Sequence, residues 1–339
     1  MATLKEIAEI AHVNVSTVSK ALRGSSDLNE QTMANIMRIA QELHYPIRGK
    51  TDGRLPQKGN NFIAVIVPEI MSPYYAAMVD SLYHYLKQRD LRMQIILADF
   101  SSVEELRCIR EVMRQSPSAI VCFTAAKEVP PALHKLISKR NASPFLLVSM
   151  AKSDDFCDTV YMDDWQSALI AVRHLLELGH RRIAYIGDSL TYLRREAYET
   201  ALAAAGIPIR RDYIIELPVR FEECGKVGME RLLSLPERPT AVFAAYDNVA
   251  IGVLYAAHNA GLSVPQDLSL IGIDNISASA YLHPPLTTVT EYTQDVGHLV
   301  SDLLFSKLCD GRQYVQVVRL QPTLVQRGST APPPDTANE

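Results

Sequence analysis

Apolar side chains in residues 1–46 recur at helical spacing in three short runs. Leu4, Ile7, Ala8 and Ala11 fall at i, i+3, i+4 and i+7 and predict one buried helical face. Thr3-Leu4-Lys5-Glu6 has the form of a capping box, in which the Thr3 hydroxyl satisfies the Glu6 amide while Glu6 reaches back. His12-Val13-Asn14 breaks the pattern, and Asn14 is a good N-cap for a second helix from Val15 to about Leu22. Val18, Ala21 and Leu22 form its inward face. After the loop Arg23-Gly24-Ser25-Ser26-Asp27, Asn29 caps a third helix with the inner stripe Met33, Ile36, Met37, Ala40 and Leu43. Pro46 ends this unit.

Residues 47–61 hold three glycines, one proline and no apolar periodicity, which predicts a linker. The texture then changes to compact apolar runs alternating with amphipathic stretches. Strands are predicted at Phe62–Val67, Met93–Ala98, Ala119–Phe123 and Phe145–Ser149, with helices at 73–89, 103–115 and 130–140. A second series places strands at Ile183–Gly187, Ile214–Leu217, Ala241–Ala245 and Leu268–Ile273. Its helices fall near 165–178, 192–205, 222–234 and 248–260. Two such series imply two doubly wound parallel sheets with helices on both faces. A final helix at 294–309 and an apolar segment Tyr314–Leu320 follow, and residues 331–339 read as a disordered tail. The expected layout is a head (1–46), a linker or degenerate hinge (47–61), a two-lobed core (62–330) and a tail (331–339).

Composition narrows the class. The 339 residues are enough for several globular domains, and no apolar run approaches the roughly 20 residues of a membrane span. The polar N-terminus does not read as a secretory signal. Five scattered cysteines without a C-x-x-C pair argue against a disulfide scaffold or zinc site and for a cytoplasmic setting. The net charge of −4 argues against a nucleic-acid partner until it is divided. Residues 1–58 carry eight bases against six acids, net +2, while the rest carries 26 against 32, net −6.

Two helices joined by a three-residue turn match helix-turn-helix geometry. Val15, Ser16, Ser19, Lys20 and Arg23 face outward from the second helix. A valine can meet a thymine methyl, hydroxyls can take phosphate or base contacts, and Lys20 can donate to guanine. The competing reading is a solvated helix face, and the pattern alone gives the two equal weight. The resemblance is more specific. Ala2-Thr3-Leu4-Lys5-Glu6-Ile7-Ala8 and Val13-Asn14-Val15-Ser16-Thr17-Val18-Ser19-Lys20-Ala21-Leu22 are similar to the opening of the lactose-repressor (LacI/GalR) family of bacterial transcription regulators. The likeness continues through Ala64-Val65-Ile66-Val67-Pro68, Ser72-Pro73-Tyr74-Tyr75, Leu178-Gly179-His180-Arg181-Arg182-Ile183-Ala184 and Pro239-Thr240-Ala241-Val242-Phe243. It extends to Asp247-Asn248-Val249-Ala250-Ile251-Gly252, Ile271-Gly272-Ile273-Asp274-Asn275, Pro284-Pro285-Leu286-Thr287-Thr288-Val289 and Leu324-Val325-Gln326-Arg327-Gly328-Ser329-Thr330.

The resemblance implies an all-α helix-turn-helix DNA-binding head followed by an α/β two-lobed core of periplasmic-binding-protein-like architecture. It implies a homodimer or dimer of dimers on palindromic operator DNA, with affinity switched by a small effector in the core cleft. By position, Val15, Ser16 and Lys20 would read bases, while Thr3, Leu4, Asn14, Ser19, Arg23, Asn29 and Thr32 would set the helix on phosphates. The sequence departs from the family at the turn glycine, which is His12, and at a basic pair in helix three, which is Gln31 and Met33. The usual hinge helix, whose leucine wedges into the minor groove, is replaced by a Gly- and Pro-containing segment with Leu55 as the wedge. Weaker hinge folding and DNA bending are expected.

For the cleft, matching positions give Tyr74 and Tyr75 as ring walls, Asp163 near a crossover, Arg194 on a second-lobe loop, and Asp247 and Asp274 at strand ends. Tyr75 reads equally as core and Asp247 as a helix cap; Trp165 reads more as packing than as cleft. Arg220 falls where relatives stack an aromatic ring. If Arg194 and Arg220 both face the cleft, a sugar phosphate or sugar acid fits; a one-residue shift puts Phe221 there and favours a neutral sugar. A sugar-binding protein without a DNA role would explain residues 62–330 but not the head. A carbohydrate-active enzyme lacks support. Gly49-Lys50-Thr51 has no preceding strand or upstream P-loop glycine, no G-x-S-x-G, H-E-x-x-H or G-x-G-x-x-G occurs, and His174 and His180 lack metal-ligand spacing. No catalytic residue, metal or cofactor is expected.

Overall fold

A computed structural model describes residues 4–22, 29–43, 60–125, 131–138, 143–150 and 156–334. The chain divides into two units, one holding the head together with Phe305–Arg312 and one holding the core. The head has three helices, α1 (Leu4–Ile10), α2 (Val15–Leu22) and α3 (Glu30–Glu42). Ile7, Ala8, Val18, Ala21, Ile36, Ile39 and Ala40 fill its centre, with Leu4, Ala11, Val13 and Leu43 packed around them. The inner face of α3 runs Ile36, Ile39, Ala40, Leu43, a helical i, i+3, i+4, i+7 series, and Met33 is only half-buried. Most of the predicted linker, including Leu55, lies outside the described residues, and β1 begins at Asn60.

The first lobe is built from β1 (Asn60–Val67), α4 (Pro73–Lys87), β2 (Arg92–Leu97), α5 (Ser102–Met113), β3 (Pro117–Thr124), α6 (Pro131–Ile137), β4 (Phe145–Ser149) and β5 (Asp158–Met162). The second takes α7 (Asp164–Glu177), β6 (Ile183–Asp188), α8 (Tyr192–Ala204), β7 (Ile214–Leu217), α9 (Phe221–Leu233), β8 (Ala241–Ala244), α10 (Asp247–Asn259), β9 (Ser269–Ile273) and β10 (Thr287–Thr290). The chain then returns to the first lobe in α11 (Thr293–Leu308) and β11 (Val317–Leu320), and ends in the second with β12 (Thr323–Val325). It therefore passes between the lobes three times.

The sheets run β2-β1-β3-β4-β5-β11 and β7-β6-β8-β9-β10-β12, parallel throughout except for β12 against β10. Both orders reverse after their first strand, at β1/β3 and β6/β8, and such reversals open a crevice at the strands' carboxyl ends. Inner strands such as β4 and β9 are buried along their whole length, as strands covered by helices on both faces must be. Helix starts follow the sequence: Ser72 caps α4 ahead of Pro73, and Ser101 caps α5. Helices α9 and α10 meet backbone to backbone, since a Cβ on Gly225 would lie 1.9 Å from the Val249 carbonyl oxygen.

Three strands, β5, β10 and β12, were not expected from the apolar pattern. Threonines in β10 replace the apolar signal: Thr288 donates to the Asp247 carboxylate (2.6 Å), and Thr287 Oγ1 accepts the Arg327 amide (3.0 Å). The chain from Ala331 to Pro334 also differs from the expected disordered tail. Ala331 pairs with Ser269, and its carbonyl accepts from His180 Nε2 at 2.8 Å; Pro333 packs beside Gly179. Burial lowers the pKa of His180 and suits the neutral ring, whose Nδ1 accepts from Thr240 (2.9 Å).

Candidate functional site

The head presents one helix by burying the other side of it. Val18 and Ala21 of α2 are in the core, and Val15 and Ser16 are exposed. The turn before α2 has a Schellman pattern: the Val13 amide donates to Ala8 (3.0 Å) and the His12 amide to Glu9 (3.3 Å). This geometry needs a left-handed residue, and His12 supplies it with φ +51°. The Asn14 carbonyl accepts the Thr17 and Val18 amides, and Asn29 Oδ1 accepts the Gln31 amide (2.9 Å), so both residues start helices. Leu4 packs against the head's core and Thr32 is half-buried. Thr3, Arg23 and Leu55, and the side chains of Ser19 and Lys20, lie outside the described residues.

The core's cleft lies between the carboxyl ends of the two sheets, around a cavity of about 70 Å³. The first lobe lines it with Ser72, Tyr74, Tyr75, Phe100, Ala125 and Met150, and the second with Asp164, Asp188, Leu190, Thr191, Arg194, Arg220, Phe221, Tyr246, Asn248 and Asp274. Tyr74 and Tyr75 meet edge to face at 5.2 Å, and Tyr75 meets Phe100 in the same way at 6.0 Å.

Arg194 is buried at the centre of a carboxylate cluster. It donates to Asp164 Oδ1 from Nε (3.1 Å) and Nη2 (2.7 Å), and from Nη1 to Asp274 Oδ1 (3.2 Å) and the Ala245 carbonyl (2.7 Å). Glu291 stands 3.7 Å from its Nη2 and accepts from Tyr74 (3.0 Å) and Ser167 (2.5 Å). Burial opposes charge on Arg194, but the Asp164, Asp274 and Glu291 carboxylates outweigh it and keep the guanidinium protonated. Burial, with Asp164 nearby, pushes Glu291 up to about 7; burial also drives Asp274 well above the usual carboxylate range. Asp274 holds its place at φ +103°, a strained backbone for a non-glycine residue.

Arg220 spans the cleft. Its two terminal nitrogens grip both oxygens of Glu69, just beyond β1, at 3.0 and 2.9 Å. Its guanidinium lies over the Phe100 ring at 4.7 Å and the Phe221 ring at 4.5 Å, and Nε is 3.7 Å from Asp188. Asp188 in turn accepts from Tyr246 (2.7 Å), whose hydroxyl oxygen accepts the Phe221 amide (3.0 Å).

Five of the seven effector-site residues expected from sequence, Tyr74, Tyr75, Arg194, Arg220 and Asp274, line this cavity. Asp163 does not: it caps α7 through the Gln166 amide (2.9 Å) and pairs with Arg319 of β11, and its neighbour Asp164 faces Arg194 instead. Asp247 is fully buried in the second lobe, accepting from Thr288, Ser279 and the Ile276 amide. Trp165 packs against that lobe's core. Arg220 and Phe221 both reach the cavity, so the two registers weighed from sequence are not exclusive. Both arginines face the cleft, but each is already paired, and Glu69, Asp164, Asp188, Asp274 and Glu291 outnumber them. With each arginine already held by these carboxylates, neither is free to meet a phosphate or acid group unless one of those pairs breaks. Glu69, Asp164, Asp188 and Tyr246 were missed, although each sits at or within three residues of a strand's carboxyl end. Phe100, three residues beyond the end of β2, carries the same signal and was also missed.

Among the described residues no group of three His, Cys, Asp or Glu side chains is placed to hold a metal ion, and no helix is long and apolar enough to cross a membrane. Residues 3–46 match the profile of bacterial regulatory proteins of the lacI family, and residues 172–330 that of the periplasmic binding protein-like domain. The chain is 30% identical over 337 residues to the HTH-type transcriptional regulator DegA of Bacillus subtilis, covering 97% of this chain and 98% of that protein. It is 29% identical over 340 residues to the HTH-type transcriptional repressor PurR of Erwinia tasmaniensis, with 98% of each covered. Its fold matches a LacI family transcriptional regulator from Enterococcus faecium solved with bound ribose, at a TM-score of 0.68 and 29% identity over 80% of this chain and 99% of that one.

Proposed function

The chain belongs to the lacI family of bacterial regulatory proteins, and on that footing we propose that it is a repressor whose operator affinity is set by a polyhydroxylated, non-anionic effector in the core cleft. It is a DNA-binding transcriptional regulator and not an enzyme. The observation that carries the effector reading is the composition of the cleft: aromatic walls from one lobe face hydrogen-bonding acids and hydroxyls from the other, at the carboxyl ends of both sheets. Tyrosine rings can cover the apolar face of a sugar, while Asp164, Asp188, Thr191 and Asn248 can exchange hydrogen bonds with hydroxyls. The relative from Enterococcus faecium, named with bound ribose, supports a sugar-sized ligand.

The recognition surface is α2. Val15, Ser16 and Lys20 read base edges, and Thr3, Leu4, Asn14, Ser19, Arg23, Asn29 and Thr32 fix the helix on phosphates. With Gly49, Gly53 and Pro56 around Leu55, the hinge bends DNA less than an ordered hinge helix would. Two protomers supply the two half-sites. The exposed apolar side chains Met71, Ile95, Leu97 and Val103 of the first lobe, with Tyr255 and Tyr281 of the second, provide surface for that pairing. An operator-binding protein of this kind works in the cytoplasm.

The test is fluorescence anisotropy on a selected operator, with and without neutral sugars. Lys20→Ala should relax specificity at one base pair, whereas Arg23→Ala should weaken binding to all sequences and lower the salt slope by about one. Equal loss on specific and random DNA for Lys20→Ala removes it from the base readers. A sugar panel that leaves operator binding unchanged, alongside release by a phosphorylated sugar, overturns the non-anionic reading.

A further inference from the structure

Arg220 sits in surroundings made for a cation. Two aromatic faces enclose its guanidinium, one from each lobe, at 4.7 and 4.5 Å, and two carboxylates, Glu69 and Asp188, face its nitrogens. Attraction between a cation and a ring face strengthens when both are withdrawn from water. The geometry is held at a cost: Phe100 and Phe221 both have left-handed backbones, φ +56° and +59°, conformations that bulky side chains rarely adopt. A hydrogen-bonded chain supports the second ring, from the Phe221 amide to Tyr246 and on to Asp188. Yet the occupant fits imperfectly, because the buried Nε of Arg220 finds no hydrogen-bond partner among the described residues and stands 3.7 Å from Asp188 Oδ2.

We propose that the space between Phe100 and Phe221, bounded by Glu69 and Asp188, is a cation subsite of the cleft that Arg220 fills as a tethered occupant, and that the effector carries a protonated amino or guanidino group which displaces it. This rests on the reading of the cleft as an effector site and specifies the ligand class as a cationic sugar derivative, such as an amino sugar. Removal of Arg220 leaves two carboxylates and two ring faces, matching a charged nitrogen rather than a neutral hydroxyl. While Arg220 stays, it joins the lobes through Glu69, so the same displacement frees one lobe from the other. Recognition and lobe movement would then be one event.

Chemical rescue tests the subsite without knowledge of the natural effector. Arg220→Ala empties it, and Arg220→Ser does so with a residue favoured at the start of a helix, where position 220 lies. N-ethylguanidinium should raise the melting temperature of both variants by about 3 °C at ten times its dissociation constant. Its neutral analogue N-ethylurea should not, and neither compound should raise that of the wild type. Adding Glu69→Gln to Arg220→Ser should abolish the rescue. Equal shifts with both compounds, an equal shift in the wild type, or no shift in either folded variant overturns the subsite. In operator release, glucosamine should act at lower concentration than N-acetylglucosamine, which keeps the ring but loses the charge; the reverse order overturns the assigned ligand class. Rescue without operator release by any small molecule would leave the subsite standing and refute the effector reading. Release by neutral sugars with failed rescue would refute the subsite alone.

Discussion

The first lobe meets the cleft mainly with rings and the second mainly with charges, although both sheets share one strand order. Tyr74, Tyr75 and Phe100 come from the first; Asp164, Asp188, Arg194, Arg220 and Asp274 come from the second. Within the second lobe the charges around Arg194 largely satisfy one another, so that part of the cleft is set before any ligand arrives. The first lobe answers with a single carboxylate, Glu69, which reaches across to Arg220. Equal topology therefore does not mean equal function. One lobe holds an electrostatic pattern built around Arg194, and the other meets it with ring faces.

The sharpest way to break this comparison is Arg194→Ala. It leaves Asp164, Asp274 and Glu291 buried without their cation and should cost about 3–5 kcal/mol in denaturant unfolding. An unchanged midpoint would mean the second lobe's charges are not fixed by one another.

The first lobe offers a contrasting case in Glu105, a buried carboxyl whose described hydrogen-bond partner is Thr124 (3.0 Å). Burial raises it to about 7 against an ordinary 4.5, the Thr124 hydrogen bond opposing. The native state thus binds more protons than the unfolded chain between those values, so stability falls as pH rises through that window. Glu105→Gln should stabilise the protein by on the order of 3 kcal/mol at pH 8 and do nothing below pH 4. Parallel unfolding curves for the two proteins across this range would sink the assignment.

Smaller effects separate closure from stability. Glu69→Gln removes one charge of a partly exposed pair and should cost about 1 kcal/mol, while small-angle scattering should show a larger radius of gyration as the lobes part. Identical scattering would mean that the ring contacts and the Tyr74–Glu291 hydrogen bond hold the cleft shut without the Glu69 charge. Tyr74→Phe should cost about 0.5–1 kcal/mol and move the titration of Glu291 upward, since the tyrosine hydroxyl favours its ionised form.

Much of the scaffold was legible because buried strands and amphipathic helices leave strong periodicities. Phe145–Ser149 and Ile214–Leu217 begin and end where the apolar runs do. The pattern is silent where burial is achieved by hydroxyls, as in Thr287 and Thr288, or where a strand has only three residues, as in β12. At the cleft, position along the chain could place Arg194 and Asp274 but could not separate Asp163 from Asp164. Those neighbours point to different partners, a helix amide and Arg319 for one and Arg194 for the other. The pairing of Arg220 with Glu69 was invisible for a different reason. It joins residues 151 positions apart on opposite lobes, and only the folded cleft brings them together.

The three passages between lobes also set a timetable for synthesis. The first sheet opens with Asn60–Val67 but gains its last strand only with Val317–Leu320, after five strands of the second sheet have left the ribosome. The second sheet waits for Thr323–Val325, and its outer surface for Ala331 to reach His180. A nascent chain can thus display a complete helix-turn-helix sequence long before either lobe is whole. The switch arrives last, within a few residues of translation for both lobes together, so a truncated product would carry the reader without its control.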